Sequence, residues 1–71
     1  MGIKKIVVTG SAGLIGTQVV KDLLDNQMQV YSCYNKNKPE LGIATHLDLT
    51  SKEDIVSTIN KIKPDVIIHL G

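Results

Sequence analysis

Phenylalanine and tryptophan are absent from this 71-residue chain, and two tyrosines are its only aromatic residues. The large ring contributions to a core are therefore missing. A single cysteine, Cys33, excludes an internal disulfide framework and any C-x-x-C zinc pattern. Charge of one sign is scarce as well. Eight basic against seven acidic side chains leave a formal charge of +1, which gives no electrostatic pull toward nucleic acid or an anionic membrane. No apolar run approaches the ~18 residues of a membrane-spanning helix. The few apolar residues between Lys5 and Gly10 are too short for a signal-peptide core, so a soluble cytoplasmic protein is expected. His46 and His69 are far apart with no third ligand type clustered near them, and no metal site is expected.

What is present is globular in kind: 42% of residues are apolar and 21% charged. A chain this short buries only about 60% of its unfolded surface and usually needs a staple or a partner. With no disulfide or evident metal, it is expected either to pack against something else or to be a piece of something larger.

The first segment, Ile3 to Thr9, contains the β-branched run Ile6, Val7, Val8 with no polar alternation. That composition suits a strand buried on both faces of a parallel sheet. After three glycines the spacing turns helical, with an apolar stripe of Leu14, Ile15, Val19, Val20, Leu23 and Leu24. Asn26 is expected to end that helix, since Asn tolerates the left-handed conformation. Gln29 to Tyr34 reads as a second strand, with Val30 and Ser32 on one face and Tyr31 and Cys33 on the other. Asn35 to Gly42 holds Pro and Gly and reads as a loop. A short third strand is expected within Ala44 to Leu49, around His46 and Leu47. Ser51 with Asp54 three residues on forms a variant capping box. Ile55, Val56, Ile59 and Ile62 supply one helical face before Lys63 and Pro64 stop the helix. Val66 to Leu70 is a last strand of the buried type, expected in this chain to form an edge with Val66, Ile67 and Ile68 exposed. The order β-α-β-(β)-α-β predicts an α/β fold, the N-terminal half of a Rossmann-type doubly wound parallel sheet with strand order 3-2-1-4.

The chemistry is expected at TGSAGLIG, between the first strand and the first helix. A helix entered through glycines offers free backbone N–H groups and the positive end of its dipole to a phosphate. Gly10, Gly13 and Gly16 fit, in order, the tight turn, the close approach to a pyrophosphate and the close packing of helix on strand. The spacing is one residue longer between the first pair than G-x-G-x-x-G, and no Lys-Ser/Thr follows, which rules out the Walker loop. Isolated from this context, the same glycines would read as ordinary turn residues. At the end of the second strand an acid would select the ribose 2′-hydroxyl of NAD, and a basic group the 2′-phosphate of NADP. The chain has Asn35, Lys36, Asn37 and Lys38 there, with no carboxylate until Glu40. NADP(H) is therefore favoured over NAD(H), with Lys36 or Lys38 on the phosphate. A solvated polar loop is the competing reading of those residues.

TGSAGLIG and the later stretch HLDLTSKEDIVSTINKIKPDVIIHLG resemble the extended short-chain dehydrogenase/reductase group. Within it the chain is similar to the N-terminal part of dTDP-4-dehydrorhamnose reductases. The resemblance implies a pyrophosphate held by the three glycines and the backbone of Leu14 and Ile15. It puts Asp48 and Leu49 beside adenine, and His69, Leu70 and Gly71 along the cofactor, although the family usually has Ala at the position of Gly71. By residue type alone, Asp48 also reads as a loop carboxylate near a helix start. A full member would continue to a catalytic helical Tyr-x-x-x-Lys and a substrate domain, and a nucleotide-sugar substrate is expected only there. The chain by itself is expected to be inactive, and aggregated or molten when expressed alone. Tyr34 and Lys38 have the catalytic spacing but leave a strand and run into Pro39, so they are not read as that pair. Nucleotide-sugar epimerases or dehydratases remain alternatives, as do non-catalytic binding subunits such as the regulatory subunit of methionine adenosyltransferase.

Overall fold

In a computed structural model that describes residues 3–10 and 13–70, the chain runs β1 (Lys5–Thr9), α1 (Leu14–Asp25), β2 (Gln29–Tyr34), β3 (Ile43–His46), α2 (Lys52–Ile62) and β4 (Val66–His69). The four strands form one sheet in the order β3-β2-β1-β4, with every pairing parallel. This is the expected α/β architecture, and it brings the C-terminal ends of all four strands to one edge of the sheet.

Ile6, Val7 and Val8 of β1 are 4%, 1% and 0% exposed, as a central strand covered on both sides must be. Alternation divides them between two cores. Ile6 and Val8 join Val20 and Val30 on the α1 face, while Val7 joins Cys33, Leu47 and Ile62 on the α2 face. Ser32 is fully buried on the α1 side of β2, and its hydroxyl donates to Leu41 O at 2.8 Å, tying the loop after β2 back to the sheet.

Several expectations shift. β3 begins at Ile43 and ends at His46, so Leu47 follows the strand and fills the α2-face core. Asn26 caps α1 with φ −92°, and the left-handed residue is Gln27 at φ 64°. The Asn26 side chain donates instead to Asp22 O at 2.7 Å, spanning the last turn without a left-handed backbone. Of the α1 stripe, Val20 is buried and Val19 and Leu23 are half-buried, but Leu14 and Ile15 are 94% and 74% exposed. They stand in the first turn, beyond the strand ends that the rest of the helix covers. The β4 run forms the expected edge, paired to β1 among the described residues; Val66 and Ile67 are exposed, but Ile68, expected to be exposed with them, is half-buried and packs against the α1-face core.

Candidate functional site

Two hollows open at the C-terminal edge of the sheet. The first, of about 360 Å³, is lined by Thr9, Gly10, Cys33, Tyr34, Asn35, Lys36, Asn37, Leu47, Asp48, Leu49 and Thr50. The second, of about 480 Å³, is lined by Gly10, Gly13, Leu14, Ile15, Gly16 and Leu70. Gly10 lines both, so the two hollows are neighbours at the end of β1. In doubly wound sheets ligands bind in this crevice beyond the carboxyl ends of the strands.

Gly10 and Gly13 flank the junction of β1 and α1. Gly10 has φ 72°, a left-handed value that any side chain would strain. Gly13 is different: φ −82° and ψ 177° are ordinary extended values, and a Cβ placed there meets nothing within 4 Å. Among the described residues, neither backbone conformation nor packing demands glycine at 13. Gly13 is also the N-cap of α1 and can offer no side chain to the first-turn N–H groups, where no acidic residue stands either. α2 shows the contrast, with Ser51 Oγ accepting from Asp54 N at 3.2 Å and both Glu53 and Asp54 in its first turn. Gly16 is buried in the first turn of α1.

In the first hollow, Asp48 Oδ1 accepts from Thr50 N at 2.9 Å and Thr50 Oγ1 at 2.6 Å. These hydrogen bonds hold its carboxyl below the usual range, with the nearby His46 ring adding a smaller pull in the same direction. A carboxylate so held is an acceptor only. Tyr34 and His46, neighbours in the β2–β3 register, meet edge to face with centroids 5.5 Å apart. Cys33 lies on the cleft floor, and burial pushes its thiol up to about 11, which makes it a poor nucleophile near neutral pH.

The predicted residues therefore separate into groups. Asn35, Lys36, Asp48 and Leu49 share the first hollow, and Gly10, Gly13, Leu14, Ile15, Gly16 and Leu70 share the second. Lys38 lines an adjoining hollow of about 220 Å³ beside Thr17, Val20 and Glu40, which shares Asn37 with the first. His69 lines neither main hollow. Its Nδ1 lies 2.6 Å from Thr9 Oγ1, joining the ends of β4 and β1. Gly71 lies outside the described residues. Tyr34 is the last residue of β2 and Lys38 sits in the loop, so no helical turn unites them. Sequence reasoning missed Thr9 and Thr50 as parts of the site. A Thr two residues beyond an Asp, the pattern of an Asx turn, was the available signal for Thr50.

Among the described residues no helix is long and apolar enough to cross a membrane. A sequence profile described as the NAD dependent epimerase/dehydratase family matches residues 6–71. The chain is similar to methionine adenosyltransferase 2 subunit beta of Xenopus tropicalis, being 31% identical over 67 residues that cover 93% of this chain and 19% of that protein. The Xenopus laevis protein of the same name gives the same identity and coverage. The chain thus spans about 19% of the length of these curated relatives. With a profile match over nearly all of its length, on a four-stranded parallel sheet, the chain belongs to the NAD dependent epimerase/dehydratase family.

Proposed function

We propose that the crevice binds the ADP half of a nicotinamide dinucleotide, NADP(H) in preference to NAD(H). The observation that carries this reading is that the two hollows adjoin at Gly10, at the C-terminal ends of the strands. A diphosphate at the α1 start would meet first-turn N–H groups that Gly13 leaves without a side-chain cap, and the helix dipole. An adenosine in the first hollow meets Asp48 and Leu49 on one side and Asn35 and Lys36 on the other. Lys36 lines the first hollow and is the residue we assign to a 2′-phosphate, with Lys38 in the adjoining hollow that shares Asn37 with it.

Titration with 5′-ADP and 2′,5′-ADP tests both parts. The wild-type chain is expected to bind 2′,5′-ADP more tightly. Lys36→Ala should remove that advantage, worth about tenfold for a charge-assisted contact, and leave 5′-ADP binding nearly unchanged. Gly13→Val should abolish binding of both nucleotides, because its side chain fills the approach rather than the core. Retained binding in Gly13→Val, with the protein still folded, would sink the assignment of the turn.

For the longer proteins in which such a segment occurs, two roles follow. One is a reductase of a nucleotide-linked keto-sugar, resembling dTDP-4-dehydrorhamnose reductase, in which the cofactor supplies hydride. The other is a nucleotide-binding subunit without catalysis, favoured by the similarity to proteins named as a beta subunit of methionine adenosyltransferase 2. Oxidation of NADPH by a keto-sugar nucleotide, measured on the longer protein, separates them.

A further inference from the structure

The start of α2 is interlocked with Asp48 in a way that an ordinary helix cap does not require. In a capping box the residue three beyond the cap returns its side chain to the N–H of the cap itself. Here the Ser51 N–H is already donated to Asp48 O at 3.0 Å. The Asp54 carboxylate passes the cap and accepts from Asp48 N at 2.7 Å, while its own N–H donates to Ser51 Oγ. The Asp48 main chain is therefore fastened at both polar groups, its N–H by Asp54 and its carbonyl by Ser51. Thr50 holds the side chain at Oδ1. Asp54 is half-buried; it shares with Asp48 a hollow of about 450 Å³ at the start of α2, but does not line the first hollow, which Asp48 also lines.

We propose that Asp54 is a positioning residue for base recognition: by fixing the Asp48 main chain from outside the hollow, it aims the Asp48 carboxylate at the exocyclic amino group of adenine. This rests on the assignment of Asp48 to adenine in the proposed function, and adds that base selectivity is set by a residue that never touches the nucleotide. An ionised carboxylate can accept from the adenine amino group but has nothing to donate to the keto oxygen that hypoxanthine carries at the same place. The ratio of affinities for 5′-ADP and 5′-IDP thus reports how well the carboxylate is aimed.

Calorimetric titration of both nucleotides on the wild-type chain, Asp54→Ala and Asp54→Asn, each also unfolded in urea, tests the proposal. The wild type should prefer ADP by about tenfold, the effect of one charged hydrogen bond. Asp54→Ala should bring the two affinities within about twofold by weakening ADP alone. Asp54→Asn keeps an oxygen that accepts from Asp48 N and should retain the preference, although it loses the charge that stabilises the helix start. If Asp54→Ala does not fold, Asp54→Ser, whose side chain stops short of Asp48 N, should show the same lost ratio. Equal weakening of both nucleotides, or an unchanged ratio in a folded variant, would reduce Asp54 to a helix cap and overturn the proposal. A wild-type chain that binds neither nucleotide overturns the site itself, and one that binds both equally overturns the role of Asp48. Each of these outcomes is distinct from failure at Asp54.

Discussion

Gly42 closes the loop after β2 with φ +80°, and a Cβ there would press on the Ser32 hydroxyl, Val30 O and Val20. Strain and collision act together at this position, unlike Gly13, where neither applies. Gly42→Ala should therefore destabilise the fold by about 1–3 kcal/mol, seen as a lower urea midpoint, while Gly13→Ala leaves the midpoint nearly unchanged. Cys33 gives a pH signature. Burial raises its thiol from the ordinary 9.0 to about 11. The unfolded chain loses that proton first, so the contribution to stability is complete below about 9 and is lost as pH rises to about 11. The thermal midpoint of the wild type should fall across that interval relative to Cys33→Ala, which lacks the titration. Parallel curves for the two proteins would contradict the burial argument.

Each helix is set by its first turn. α2 is fastened by Ser51, and Ser51→Ala should cost about 1 kcal/mol in urea unfolding. A larger loss would show that Asp48 and Asp54 unravel with it. Element type was legible wherever local pattern and environment agree: Ile6 to Val8 for a doubly covered strand, the face alternation of β2, and Pro64 after α2. The glycine spacing marked the junction of β1 and α1. Periodicity could not tell that Leu14 and Ile15 overhang the crevice, since an apolar stripe looks the same over a core or at the lip of a site. It could not separate Lys36 from Lys38 either, because that depends on how Ser32 draws the loop back through Leu41. The return of Asp54 to Asp48 has no sequence pattern beyond the capping box it departs from.

At the scale of the whole molecule, the sheet ends at β4 with its outer backbone groups unpaired among the described residues and with Val66 and Ile67 exposed. No Pro or Lys lies within the strand to discourage pairing with another edge. Ile67→Lys should reduce concentration-dependent association in light scattering, with little change in unfolding midpoint because Ile67 is 53% exposed. Unaltered association would place the sticky surface elsewhere. The inner side of β4 carries a different consequence. Because β1 is apolar on both faces, sliding it one residue past β4 would exchange one β-branched side chain for another and lose little burial. The frame is instead stamped at both margins of the pair. Lys5 N donates to Asp65 Oδ2 at 2.8 Å before the strands begin to run together, and Thr9 meets His69 where they end. A slipped sheet would keep its grease and forfeit both marks, so these polar contacts act as the molecule's proofreading of its own alignment.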